Sequence, residues 1–283
     1  MKPAPFLYLD PPTLDDVLLA LATHGDDAAV IAGGQSLVPL LNLRLARPDV
    51  VVDPRHVPGL RGIRVTDDAV VVGALATTAE LLAHPAVGEA LPGLAEAAAC
   101  VGHSQIRNRG TVGGSIAHAD PVAELPAVLA ALDGEVVLRS SDGERRLAAE
   151  AFFDGPFSTA RRSDELLTEV SFPLVGGRSG WAETVRRPGD FALVGVFAAL
   201  ALDPAGMVTS VRLGLAGVGD RPLRAAAAEA ALVGRPLDEA ALVACTDALR
   251  TEVRPGDDAH ASAAHRSALA CTLTTRILRR LAT

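Results

Sequence analysis

The clearest structural signal in this sequence of 283 residues is the stretch Ile106-Arg107-Asn108-Arg109-Gly110-Thr111-Val112-Gly113-Gly114-Ser115. A second glycine pair lies near the start, in Gly33-Gly34-Gln35-Ser36. We expect each pair at the end of a strand, because each is followed by a small polar residue and then a helical pattern. Adjacent glycines permit positive φ and close approach of a ligand, and their N–H groups form an anion-binding concavity. Together they predict two loops around one pyrophosphate; two plain tight turns are the alternative.

The residues before the first glycine pair and after it indicate an α–β–α–β opening. Thr13 is positioned to cap a helix that ends at Gly25. A strand is expected over residues 28–32, a helix over 36–46 and a strand over Val50–Val52. This pattern predicts a first subdomain over residues 1–56.

The remaining pattern divides at a glycine-rich run over residues 176–180, which is typical of a linker. Before it, hairpins and short helices predict a second subdomain over residues 57–176. After it, we expect three strands followed by helices, which favours a separate C-terminal α+β domain over residues 177–283. The expected strands cover residues 182–186, 191–202 and 208–214, and the expected helices cover residues 223–233, 238–249 and 261–281.

Composition excludes several classes of protein. The net charge is −8, Lys2 is the only lysine, and the basic residues are scattered, which argues against a P-loop, a pyridoxal enzyme and a nucleic-acid surface. The three cysteines, Cys100, Cys245 and Cys271, are too few for an iron–sulfur cluster. We find no targeting signal, and the longest apolar run is too short to span a bilayer. We therefore expect a soluble, cytoplasmic protein.

Other chemical motifs are weak. Gly217-Val218-Gly219 lacks the third glycine of a Rossmann fingerprint and comes too late in the chain. His103, His118 and Asp120 lack the spacing of metal ligands, so we interpret them as polar lining of a pocket. The sequence contains no nucleophile elbow.

The glycine segments and their surroundings resemble the FAD-binding medium subunit of the molybdenum hydroxylases, the carbon monoxide dehydrogenase and xanthine dehydrogenase group. The matching segments are residues 32–40, 43–48, 73–78, 106–115, 118–121, 124–126, 152–155, 164–167 and 186–192, so the resemblance covers nearly the whole chain. It implies an α+β protein with a two-subdomain FAD-binding fold of the vanillyl-alcohol-oxidase/PCMH type, which is not a Rossmann fold, and a C-terminal α+β domain with a three-stranded antiparallel sheet.

The resemblance also implies the residues that contact FAD. They are Ile31, Ala32, Gly33, Gly34, Gln35, Ser36, Leu37, Val101, Gly102, Gly110, Thr111, Val112, Gly113, Gly114, Ser115, Ala117, His118, Asp120, Glu124, Leu167 and Phe191. The pyrophosphate would lie on the two glycine loops, and Ala117, His118, Asp120 and Glu124 would lie near the ribityl chain or the ring. Phe191 would contact the isoalloxazine. We expect the FAD to be non-covalent, since no His or Cys stands in a flavinylation context.

The implied function is electron transfer within a complex. FAD on this chain would take electrons from an iron–sulfur small subunit and pass them to an external acceptor. The molybdenum cofactor would belong to a large subunit and the [2Fe-2S] clusters to the small one. Two alternatives remain at this point: a stand-alone FAD oxidoreductase, and a non-catalytic nucleotide-binding or assembly protein.

One segment departs from the family pattern. Family members often carry a lysine before Arg186-Arg187, where this chain has Ala182-Glu183-Thr184. A cation that would favour the anionic reduced flavin is therefore missing, although Arg186 or Arg187 could replace it geometrically.

Overall fold

The computed structural model of the chain describes residues 2–283 and begins with a small parallel sheet. Its elements are β1 (Leu7–Leu9), α1 (Leu14–His24), a 3-10 turn (Gly25–Asp27), β2 (Ala28–Val30), α2 (Leu37–Asn42) and β3 (Val50–Val52). The strand order is β1-β3-β2, and both pairings are parallel. Thr13 caps α1 by accepting a hydrogen bond from the Asp16 N–H, as the sequence predicts.

The second unit is a five-stranded antiparallel sheet covered by short helices. Its elements are β4 (Ile63–Val65), β5 (Ala69–Gly73), α3 (Thr78–Ala83), α4 (Pro85–Ala90), α5 (Pro92–Cys100), α6 (Ser104–Arg107), α7 (Val112–His118), α8 (Glu124–Ala131), β6 (Glu135–Ser140), β7 (Gly143–Ala148), α9 (Ala149–Phe152), β8 (Phe153–Gly155), β9 (Ser158–Thr159) and β10 (Leu166–Pro173). The sheet order is β4-β5-β10-β6-β7, with β8 and β9 forming a separate pair.

The third unit is an antiparallel sheet followed by helices. Its elements are β11 (Arg178–Val185), β12 (Ala192–Leu202), β13 (Val208–Ala216), β14 (Leu223–Arg224), α10 (Ala226–Ala230), α11 (Glu239–Glu252) and α12 (Ala263–Ala282). The order is β11-β12-β13-β14. The three long strands correspond to those predicted, but β11 begins at Arg178, so residues 178–180 of the predicted linker are part of a strand that pairs with β12. The two-residue β14 is added at the edge. No helix within residues 2–283 has both the length and the apolar character that crossing a membrane requires.

Several predicted elements differ in extent. The helix predicted over residues 36–46 is only α2, because the chain turns at Arg44 with φ 57° and the N–H of Leu45 bonds back to the Leu40 carbonyl. The strand predicted over 28–32 stops at Val30. The helix predicted over 223–233 begins only at Ala226, because the preceding residues pair with β13. The division into three domains stays a prediction, although each predicted domain contains one main sheet.

Helix α8 lies at the centre of the molecule, and all eight of its residues are buried. One side packs against α5, and another packs against β12 and β13 of the C-terminal sheet. At Gly214 of β13, a side chain would bring its Cβ within 2.3 Å of the Ala127 carbonyl oxygen of α8. Glycine is therefore required where α8 meets the C-terminal sheet.

A second close contact joins α5 to the same sheet and provides a test of the packing. At Gly93, a Cβ would lie 2.5 Å from Phe197 Cε2 and 2.7 Å from the Gly180 nitrogen, whereas at Gly88 of α4 it would meet no atom within 4 Å. Thermal or urea unfolding should show Gly93→Ala destabilised by about 1–3 kcal/mol through overpacking. The matched control Gly88→Ala should be stabilised by about 0.5–1 kcal/mol, as expected for a helix interior. Equal stability of the two variants would contradict this packing.

Candidate functional site

The two glycine segments lie against each other in the structure. At Gly33, a Cβ would lie only 2.1 Å from the Arg109 carbonyl oxygen and 2.8 Å from the Gly110 Cα. At Gly114, it would lie 3.5 Å from the Ala32 Cβ. The backbone at Gly33 therefore packs directly against that of Arg109 and Gly110, and Gly114 lies close to Ala32, across the boundary between the first two sheets.

The first segment, residues 32–37, is here called the glycine loop, and its backbone is open for hydrogen bonding. No backbone or side-chain acceptor within residues 2–283 is bonded to its six consecutive N–H groups, whereas the N–H of the preceding Ile31 bonds to the Val52 carbonyl. Gly34 has φ +74°, a conformation that L side chains rarely adopt. An unpaired backbone N–H is costly unless water or a ligand accepts its hydrogen bond. Six in succession form a surface suited to an anion.

The second glycine pair differs from the prediction. It lies in the first turn of α7 rather than at a strand end, and neither glycine has positive φ. The N–H of Gly113 bonds to the Ala74 carbonyl, and the N–H of Gly114 donates to Thr111 Oγ1, the cap of the helix. Glycine is needed here for space: at Gly113 a Cβ would lie 2.4 Å from that of Ala74. The prediction of two equivalent anion-binding loops is therefore wrong for the N–H groups of this pair.

An open cavity of about 410 Å³ lies next to α6. The chain after α6 leads to Gly110, which contacts the glycine loop. One wall is the C-terminal end of α5 with the α6 segment, and the other is β11 with the segment that follows it. The lining residues are Ala99, Cys100, Gly102, His103, Ser104, Gln105, Arg107, Glu183, Val185, Pro188 and Gly189. Arg107 is fixed on this wall because its Nη1 donates to the carbonyls of Val101 and Gly102, at 3.1 and 2.8 Å.

The end of α7 has an unusual backbone that orients His118. Ala119 and Phe157 both have positive φ, 52° and 55°, which is rare for an alanine and costly for a bulky residue. The N–H of Phe157 donates to the Ala119 carbonyl at 3.0 Å, and the Phe157 ring lies 5.0 Å from the His118 ring. Sequence reasoning missed Phe157, since a strained backbone leaves no signal in residue type.

Burial raises the pKa of three ionisable groups near the cavity. Glu124, at the start of α8, is 7% exposed, and burial raises the pKa of its carboxyl to about 8. Burial also raises the pKa of the Glu183 carboxyl, and that of the Cys100 thiol to about 12. Asp120 instead accepts a hydrogen bond from the Val122 N–H. Sequence reasoning included Glu124 but missed Cys100 and Glu183 as members of the site.

Leu167, Phe191 and Arg186 lie outside the lining of the cavity. The side chain of Leu167 is buried in the core of the five-stranded sheet, and Leu167 pairs with Leu138. Phe191 is 71% exposed immediately before β12, and no described contact brings it to the glycine loop. Arg186 hydrogen-bonds His260, with 2.7 Å between Nη1 and Nδ1, and is not among the residues that line the cavity.

Two protein-family models together match nearly the whole chain. Residues 4–175 match the model of the FAD binding domain in molybdopterin dehydrogenase, and residues 180–281 match that of the CO dehydrogenase flavoprotein C-terminal domain. The chain is 41% identical over 280 residues to the 6-hydroxypseudooxynicotine dehydrogenase complex subunit alpha of Paenarthrobacter nicotinovorans, covering 98% of this chain and 95% of that one.

Two further similarities are equally extensive. The caffeine dehydrogenase subunit beta of Pseudomonas sp. (strain CBB1) is 36% identical over 285 residues, which covers 100% of this chain and 96% of the relative. Among solved structures, a chain of the carbon monoxide dehydrogenase from Hydrogenophaga pseudoflava superposes with a TM-score of 0.94 at 36% identity, covering 99% of this chain and 98% of that one.

The raised pKa of Glu124 predicts a pH-dependent stability. When a carboxyl has a pKa near 8 in the folded protein rather than its ordinary value of 4.5, the free energy of unfolding falls as the pH rises between those values. Relative to Glu124→Gln, the wild-type chain should therefore lose at most about 5 kcal/mol of unfolding free energy across this range. Urea unfolding at a series of pH values measures the difference. If it does not change with pH, Glu124 is not the buried acid described.

Proposed function

The chain belongs to the family of FAD-binding medium subunits of molybdenum hydroxylases, and from this membership we propose how it holds FAD and where electrons enter and leave. It is the FAD-carrying, electron-transferring subunit of such an enzyme, as the sequence predicts. Bound FAD accepts and returns electrons, and the protein binds, orients and tunes it.

The glycine loop is the residue set that best fits the pyrophosphate of FAD. Its six open N–H groups, from Ala32 to Leu37, are the single observation that carries this proposal. A pyrophosphate carries charged oxygens that accept several such hydrogen bonds, and hydrogen bonds to a charged group are stronger than neutral ones. The Ser115 hydroxyl and the Thr111 N–H, neither of which has a hydrogen-bond partner within residues 2–283, offer further donors from the opposite segment.

The cavity between α6 and β11 is the proposed location of the flavin ring. Gly102 lines it, and α6 connects that wall to Gly110, which contacts the glycine loop. Cys100 lies on the cavity wall with its pKa raised to about 12, so it is a neutral thiol at physiological pH and a poor nucleophile. This supports a non-covalent FAD that acid precipitation should release completely.

The proposed electron path requires partner subunits. Three cysteines are too few to hold an iron–sulfur cluster, which is bound by four. Electrons therefore reach the flavin from an iron–sulfur small subunit. The substrate is oxidised on a molybdenum-cofactor large subunit, and therefore no residue of this chain selects it. An external acceptor then takes the electrons from the flavin. We place the complex in the cytoplasm, in line with the absence of a membrane-crossing helix from residues 2–283.

A substitution in the glycine loop tests the cofactor site. Gly34→Val should abolish FAD binding, because a β-branched residue is strained at φ +74° and its side chain would crowd Val38. Gly59→Val is a matched control, since Gly59 has φ +83° and a Cβ placed there would meet no atom within 4 Å. Absorption spectra of the purified variants report FAD content. Full FAD content in a folded Gly34→Val protein would exclude the loop as the pyrophosphate site.

Anaerobic reduction of the flavin tests the electron path. The full chain loaded with FAD should not be bleached rapidly by aldehydes, purines or N-heterocycles, because it offers no substrate site. Addition of the reduced iron–sulfur subunit should bleach the flavin. Rapid bleaching by one of the organic substrates, with this chain alone, would instead favour a stand-alone oxidoreductase.

A further inference from the structure

Strand β11 directs a carboxyl group toward the cavity. Successive residues of a strand point to opposite faces. Ala182 packs against the C-terminal core, whereas Glu183 lines the cavity next to Cys100. The indole Nε1–H of Trp181 donates to Glu183 Oε2 at 2.9 Å, which fixes the orientation of the carboxyl.

Glu124 is a second acid near the same wall, and it is more deeply buried. No hydrogen bond or ion pair to its side chain is formed by another residue within 2–283, and its nearest charged influences are Glu183 and Asp120, both of which oppose its ionisation. Its own backbone N–H favours the charged form, but the larger effect of burial disfavours it. Glu124 keeps its proton to a higher pH than an exposed acid.

The other charged groups around the pair do not neutralise it. From α5, Cys100 lies beside Glu183 on the cavity wall as a neutral thiol, and Glu96 is paired with Arg280 of α12 at 2.7 Å. From α6 and its approach, His103 and Arg107 line the cavity, and Arg107 donates to backbone carbonyls rather than to either acid. From the end of α7, His118 lies against the ring of Phe157.

We propose that Glu124 and Glu183 form a proton-holding pair, which takes up a proton from solvent when the flavin is reduced and releases it when the flavin is reoxidised. The proposal rests on the proposed function, since it requires the flavin ring in the adjoining cavity. Above about pH 8, where Glu124 is ionised before reduction, two electrons from the iron–sulfur subunit are accompanied by one proton to the flavin and one to the acid pair. Reoxidation by the external acceptor removes the electrons and returns both protons to solvent.

The physical basis is charge compensation in a partly desolvated site. Added electrons make the cavity more negative, and a nearby negative charge raises the pKa of a carboxyl. Glu124 has a pKa of about 8 before reduction, so above this pH it is ionised and can accept a proton when electrons arrive. The open cavity gives solvent access to Glu183.

The midpoint potential of the flavin, measured against pH on the FAD-loaded full chain, tests the proposal. Above about pH 8 the slope for wild type should correspond to about one proton more per two electrons than the slope for Glu124→Gln. Glu183→Gln is a second variant, and it should move the break in the wild-type curve to lower pH by removing a repelling charge. Glu89→Gln, an exposed acid on α4, is the matched control and should match wild type. Identical slopes in all four proteins would overturn the proposal.

A measurement on the FAD-free full chain separates this proposal from the proposed function. The infrared band of a protonated carboxyl should disappear near pH 8 in wild type, and this titration should be absent from Glu124→Gln. Trp181 is the only tryptophan, so a change of its emission that Glu183→Gln abolishes reports ionisation of Glu183. If both titrations occur but the potential does not respond to Glu124→Gln, the pair is not redox-linked and the proposal fails while FAD binding stands. If the chain binds no FAD, the proposed function fails first.

Discussion

The contact between Gly33 and the backbone of Arg109 and Gly110 is the constraint on which the proposed cofactor site depends. With only 2.1 Å between a hypothetical Cβ and the Arg109 oxygen, no residue except glycine permits the two segments to meet. Their contact joins the small parallel sheet to the five-stranded sheet, and it leaves the glycine loop facing outward with its N–H groups open. The geometry of the proposed pyrophosphate site thus follows from packing, and the positive φ of Gly34 completes it.

The two glycine pairs therefore have different tasks although their sequences are alike. The first, in the proposed site, provides N–H donors to the pyrophosphate. The second bonds within the protein, where the N–H groups of Gly113 and Gly114 are satisfied by Ala74 and Thr111, and α7 is thereby fixed against β5. A fixed α7 in turn holds the turn at Ala119, the His118 ring and the entry to α8, which begins at the buried Glu124.

Much of the fold could be predicted from local pattern, and the family from the two glycine segments. The Thr13 cap, the hairpins and the three long C-terminal strands are confirmed because capping and alternation are local properties. The predicted length of α2 was wrong because the chain turns locally at Arg44, and the predicted setting of Gly113-Gly114 at a strand end was wrong because Gly113 packs against Ala74 in the first turn of α7. Phe157 and Glu183 were beyond prediction as site residues, although Glu124 was predicted: a left-handed backbone and the burial of Glu183 arise only when distant segments pack together.

The central claim is that the glycine loop binds FAD through its pyrophosphate, and calorimetric titration of the FAD-free chain with FAD, ADP, adenosine and riboflavin tests it most directly. ADP should bind at least about 100-fold more tightly than adenosine, because two or more hydrogen bonds to charged oxygens contribute about 1.5–3 kcal/mol each. Riboflavin should bind far more weakly than FAD. Riboflavin binding as tight as that of FAD, with ADP no better than adenosine, would contradict the account.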